Sequence, residues 1–149
     1  MSVMPHLTPG DGQDLLARFK QARERRDVDR VMALFREDAE YRPDPFETAL
    51  VGELAIREHW NEAAATLGNV EFDAERIWVT GNTILASWHG AITRRATAER
   101  IRERGFLTIE LDDAGMVTRW RQWTVSRSVG MDASLRAEPG TDGGGPDGR

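Results

Sequence analysis

With 149 residues, no cysteine and a formal net charge of −5, the chain is sized for one domain. Disulfides, thiolate metal sites and a cysteine nucleophile are excluded, and the negative balance argues against a general polyanion binder. Lys20 is the single lysine, so almost all the positive charge is arginine.

Residues 1–10 read as a loose N-terminus. They lack the basic flank and apolar stretch of a signal peptide, and no apolar run reaches the roughly 18 residues that span a membrane. A cytoplasmic protein is expected. Leu15, Leu16, Phe19 and Ala22 then form a helical stripe that Asp11 or Gly12 could cap. Asp27 suits the N-cap of a second helix, with Val31, Leu34 and Phe35 facing inward. Tyr41 falls in an extended segment stopped by Pro43 and Pro45. Gly52 precedes a third helix in which Ala55, Ile56, Trp60 and Ala63 share a face, and Gly68-Asn69 ends it.

After residue 70 the period becomes two. Four strands are expected at about 70–80, 83–96, 99–112 and 115–128, with turns at Gly81-Asn82, Thr97-Ala98 and Asp113-Ala114-Gly115. From about Met131 the sequence is rich in Gly, Pro and Asp and reads as a disordered tail, leaving residues 11–130 as the domain. Helices followed by antiparallel strands give an α+β domain with helices on one face of a curved sheet.

Two-residue turns would pair Val79 with Ile84, Trp88 with Leu107, and Leu107 with Trp120. One row would read Glu75–Trp88–Leu107–Trp120, and the next would set Gly90 beside Gly105, where the sheet bends or a ligand nears the backbone. Ile84, Ala86, Trp88, Leu107, Ile109 and Leu111 share the inner face. The outer face carries Trp78, His89, Phe106, Arg119, Arg121 and Trp123. Three large aromatics there suggest a homodimer through Trp78, Phe106 and Trp123.

The three histidines, His6, His59 and His89, have no metal-ligand spacing, and no metal or cofactor is expected. His59 reads as a surface residue. Arg94, Arg95, Arg100, Arg102 and Arg104 cluster on one hairpin and read as a solvated tip. No nucleic-acid motif accompanies them.

The order of elements, with Leu34-Phe35 and Asp38-Ala39, then Gly52 with Ala55-Ile56-Arg57-Glu58, and finally Ala114-Gly115-Met116-Val117, resembles the nuclear transport factor 2-like (cystatin-like) superfamily. The likeness spans residues 13–128. This superfamily holds the ketosteroid isomerases and the SnoaL-like polyketide cyclases. The resemblance implies a cone-shaped, mainly apolar pocket between helices and a strongly curved, mixed or antiparallel sheet.

Carried over, the isomerase tyrosine falls on Phe19, its proton-donating Asp on Leu107, and its general base at or beside Pro43, with Asp44 adjacent. Both oxyanion donors are lost, which argues against ketosteroid isomerase activity. The Asp-Arg-Asp set of limonene epoxide hydrolases is also missing from the expected inner face. SnoaL-like cyclases need a carboxylate as acid/base, and Asp73, Glu75, Glu103 and Asp44 are the inward or rim candidates. Asp44 and Glu75 are the expected catalytic pair. Phe19, Tyr41, Trp60, Trp88, Leu107, Ile109, Trp120 and Gln122 are the expected ligand-binding residues, suited to a flat, hydrophobic polycyclic or polyketide-like molecule. An enzyme without cofactor and a non-catalytic binding or interaction module both fit.

Overall fold

The computed structural model describes residues 7–136. In chain order the elements are α1 (Pro9–Glu24), α2 (Val28–Met32), β1 (Phe35–Arg42), β2 (Leu50–Val51), α3 (Glu53–Thr66), β3 (Leu67–Thr80), β4 (Thr83–Arg94), β5 (Glu99–Leu111), β6 (Val117–Met131) and α4 (Ala133–Arg136). The six strands form one sheet in the order β2-β1-β6-β5-β4-β3. The four long strands are antiparallel neighbours, as the short turns between them require. The sheet is mixed because β1 lies parallel to β6, with Tyr41 beside Trp120. The first three helices pack on the inner face, giving the expected α+β layering.

α1 begins earlier than its apolar stripe suggests. Thr8 is the N-cap, and its hydroxyl accepts the Asp11 N–H while Asp11 accepts the Thr8 N–H. This reciprocal capping box orders residues the sequence assigned to a loose end. Gly12 faces the sheet so closely that a Cβ would stand 3.0 Å from Ile77. Leu15, Leu16, Phe19 and Ala22 are buried beneath α1. Asp27 caps α2 as expected, accepting the Arg30 N–H. α3 has no loop after it. Leu67 is already extended, and Gly68-Asn69 opens β3 instead of closing the helix.

Strand register differs from the two-residue arithmetic at two of three turns. Gly81-Asn82 behaves as expected and pairs Val79 with Ile84. The β4–β5 connection is longer. Ala98 takes a left-handed φ of 63°, and its N–H reaches the Arg94 carbonyl at 2.7 Å. Trp88 therefore faces Gly105, not Leu107. At the β5–β6 turn the Asp112 carboxylate gathers the N–H groups of Ala114 and Met116, so Leu107 faces Gln122 and Ile109 faces Trp120. Gly90 pairs with Glu103 and is not beside Gly105. Both errors are slips of two residues, and a slip of two keeps every side chain on its own face. Ile84, Ala86, Trp88, Leu107, Ile109 and Leu111 are accordingly all buried.

One irregularity does move a side chain across the sheet. Between Ala74 and Arg76 the β3–β4 register shifts, leaving Glu75 as the extra residue of a bulge. Its carboxylate lies on the outer face, 2.8 Å from His89 Nδ1 and 3.0 Å from Arg104 Nη1.

The stretch from Met131, read from composition as a disordered tail, holds regular structure over its first residues. β6 runs to Met131, and Asp132 behind it is buried, accepting from Asn69 Nδ2, Thr93 Oγ1 and the Ser134 N–H. Arg100 closes the cluster by donating to Thr93 Oγ1 and pairing with Glu71, so one arginine of the basic hairpin is pinned and not solvated. The remainder of the tail, residues 137–149, lies outside the described residues, as do residues 1–6. These hydrogen bonds hold the Asp132 carboxyl well below the usual carboxylate range. A depressed folded pKa stabilises above the ordinary aspartate value and is lost as pH falls through the folded one. Asp132→Ala should therefore speed amide hydrogen exchange across Val129–Met131 while leaving Trp120–Gln122 protected. Equal protection at both ends of β6 would show that the cluster does not anchor the strand.

Candidate functional site

The inner face of the sheet and the helices enclose a cavity of about 340 Å³. Each element supplies its part through the helical and alternating periods. α1 contributes Phe19 and, one turn later, Arg23; α3 contributes His59, Trp60 and Ala63; β1 contributes Tyr41 and the loop after it Pro43 and Asp44. From the strands come Glu71 and Phe72, Trp88 and Ile92, Glu103, and the alternate residues Gln122, Thr124 and Ser126.

Aromatic rings form the wall. Phe19 meets Phe72 edge-on at 5.0 Å between centroids, Tyr41 stacks on Trp60 at 5.4 Å, and Phe72 lies 5.4 Å from Trp88. The Arg23 guanidinium sits over the Trp60 ring at 5.3 Å. The indole N–H groups of Trp60 and Trp88 are buried and without a hydrogen-bond partner among the described residues. The Trp88 ring lies against the bare Cα of Gly105, where a Cβ would come within 2.9 Å of it.

The ionisable groups follow from this surface. Glu103 projects into the cavity, and no hydrogen bond or ion pair among the described residues holds its carboxyl. Burial raises its pKa above the ordinary glutamate value, with Arg23 and Arg94 opposing more weakly. Burial also raises the Tyr41 phenol and lowers the His59 imidazole, the latter with help from Arg23. His59 is therefore a neutral ring at neutral pH, set edge-on to Tyr41 at 5.2 Å. Among the described residues no group of three or more His, Asp or Glu side chains could hold a metal ion.

The cavity gathers only some of the residues the sequence singled out. Phe19, Tyr41, Trp60, Trp88 and Gln122 line it. Leu107, Ile109 and Trp120 are fully buried in the core beside it. Asp44 stands at the rim, exposed, with its carboxylate accepting the Phe46 N–H at 2.9 Å. Glu75 is on the other side of the sheet, and Asp73 is drawn to Lys20 at 2.9 Å. His59 is not the surface residue expected. It follows Ala55 by four positions, so the helical stripe already contained it. Arg23 was missed, although it lies four residues after Phe19. Thr124 and Ser126 continue the alternation of Gln122.

The SnoaL-like domain family model matches residues 16–120. The chain belongs to the SnoaL-like domain family. No curated protein matches the sequence. Among solved structures, the SnoaL-like domain resembles SalBIII, an epoxide hydrolase/cyclase-like enzyme in pyran ring formation in the polyether salinomycin. The TM-score is 0.71 at 16% identity, covering 78% of this chain and 92% of that one. An LEH-like epoxide hydrolase of M. tuberculosis gives 0.67 at 20% identity, covering 78% and 84%. A protein described as a SnoaL-like polyketide cyclase, from Shewanella denitrificans OS-217, gives 0.68 at 14% identity, covering 76% and 90%. At these identities the neighbours establish the fold. The ionisable groups lining this SnoaL-like cavity are Arg23 and His59 on helices, Asp44 on a loop, and Tyr41, Glu71 and Glu103 on strands. This is not the strand-borne Asp-Arg-Asp pattern of limonene epoxide hydrolases.

The opposite face of the SnoaL-like sheet is open. Trp78, Phe106 and Trp123 are 44%, 36% and 40% exposed, and Phe106 is the strand partner of Trp123. Among the described residues no helix is long and apolar enough to cross a membrane.

Proposed function

We propose that this SnoaL-like domain is a cofactor-independent acid/base enzyme acting on a flat, hydrophobic, polycyclic or polyketide-like molecule, with Glu103 as the catalytic group. One observation carries the reading: Glu103 is a carboxyl in an aromatic cavity with no partner among the described residues, and burial has raised its pKa. A carboxyl raised towards neutrality can take a proton from carbon beside a carbonyl and return one to oxygen. Arg23, across the cavity, would offset charge developing on that oxygen. Asp44 at the rim is a second candidate for proton exchange with solvent. Glu75 takes no part, since its partners are on the outer face.

The test is turnover across polycyclic ketones by Glu103→Gln and Glu75→Gln. Loss in the first and retention in the second is the expected pattern. Equal activity in both would remove Glu103 from the chemistry, and tight binding with no turnover by the native protein would favour a binding module.

The patch of Trp78, Phe106 and Trp123 supports a homodimer through the outer face, because exposed aromatic patches of this kind mark interfaces. Light scattering at micromolar concentration should give twice the chain mass, and Phe106→Asp should halve it. A monomeric native protein would overturn this part of the proposal.

A further inference from the structure

We propose that a one-way hydrogen-bond chain on β6, Trp120→Gln122→Thr124, makes this wall of the cavity a donor surface that selects ligands carrying a carbonyl oxygen. It rests on reading the cavity as the ligand site. The chain is set by a residue that never touches the ligand. Trp120 is fully buried, and its indole N–H donates to Gln122 Oε1 at 3.2 Å. An indole N–H can only donate, so Gln122 must turn its oxygen inward and its amide nitrogen towards the cavity. That nitrogen donates to Thr124 Oγ1 at 3.3 Å. With a hydroxyl lone pair so engaged, the hydroxyl hydrogen of Thr124 is free to donate.

Gln122 also keeps a second N–H. Both groups line the cavity. Each bond in such a series polarises the next in the same sense. Without Trp120 the Gln122 amide could flip, and the wall would accept as readily as it donates. Trp120 is thus a positioning residue, acting on the ligand through Gln122.

The probes are 1-tetralone and tetralin, which share a bicyclic frame and differ in one carbonyl. Calorimetric titration of the native protein should show 1-tetralone binding about five- to ten-fold tighter, the worth of one well-made hydrogen bond. Thr124→Val should lower the ratio without changing tetralin affinity, because only the Gln122 amide is then left to donate from this wall. Gln122→Glu should do likewise, because a carboxylate would accept from both Trp120 and Thr124 and consume the free hydroxyl hydrogen. Trp120→Phe, if it folds, should lower the ratio although Gln122 and Thr124 remain. A merely structural role for Trp120 would weaken both probes alike. A native ratio near one, or a ratio unchanged in Thr124→Val, would overturn the inference while leaving the cavity reading intact. Binding of neither probe would overturn both.

Discussion

Gly105→Ala should destabilise the protein by about 3 kcal/mol or more, at the upper end of what overpacking a core costs. A Cβ at this position would stand 2.0 Å from the backbone carbonyl oxygen of Trp123 and 2.9 Å from the Trp88 ring. The first neighbour is main chain in a paired strand, and the second is a large buried ring with little room to turn. Neither can move without opening the sheet where the cavity wall is built. Gly10 offers a control, because the nearest atom to its Cβ would be the Thr8 hydroxyl at 3.6 Å. Gly10→Ala should be neutral or slightly stabilising, since alanine loses less backbone entropy on folding. Urea denaturation of the three proteins decides the matter. A loss below about 1 kcal/mol for Gly105→Ala would mean that the β4–β5–β6 sheet yields far more readily than its packing implies.

Glu103→Gln should lower turnover by about a hundred-fold to ten-thousand-fold, the usual contribution of a positioned acid or base. The same variant should be no less stable than the native protein at neutral pH, and more stable if burial dominates. The sign follows from linkage. The folded pKa of Glu103 is raised above its unfolded value. Stability from the neutral carboxyl is therefore complete below the ordinary glutamate pKa and is lost as pH rises through the raised folded value. Glutamine does not titrate. The stabilities of the two proteins should converge near pH 4 and separate towards neutrality, with the native protein falling behind. If the carboxylate acts as base, native activity should rise with pH through that same raised pKa. A variant that loses stability equally at all pH values would show that Glu103 is a structural residue and not a carboxyl held at a cost for chemistry.

The faces of the fold were legible in the sequence, and its register only at the Gly81-Asn82 turn. Alternation alone assigned Trp88 and Leu107 inward and Trp78, Phe106 and Trp123 outward, because side-chain parity needs only the period of a strand. Register depends on loop length, and nothing in Thr97-Ala98 announces that the connection also absorbs Arg95 and Ala96. The bulge at Glu75 depends on pairing and leaves no local mark, so the carboxylate chosen for catalysis lay on the wrong side while Glu103 was passed over. Arg23 and His59 were hidden differently. Both sit on helical stripes read from their apolar members, where a polar residue at the correct spacing was discounted. Asp132 was missed because its surroundings are rich in glycine, although its partners Asn69, Thr93 and Arg100 lie far away in sequence.

The parallel pairing of β1 with β6 has a consequence for how the chain becomes a protein. Phe35 and Tyr41 pack on Trp120, at 5.8 and 6.2 Å between centroids, and the main-chain partners of their strand are Val117 to Arg121. A ribosome delivers β1 roughly 80 residues before β6, at about 5 to 20 residues per second, so these aromatics wait several seconds for Trp120. β2 can shield one edge in that interval, but the other stays open until the last long strand arrives. Sequence-distant contacts of this kind also slow folding. Completion of the cavity thus waits for the last of the six strands, and a chain truncated before Val117 would lack both the donor wall and the strand that seals β1 into the sheet.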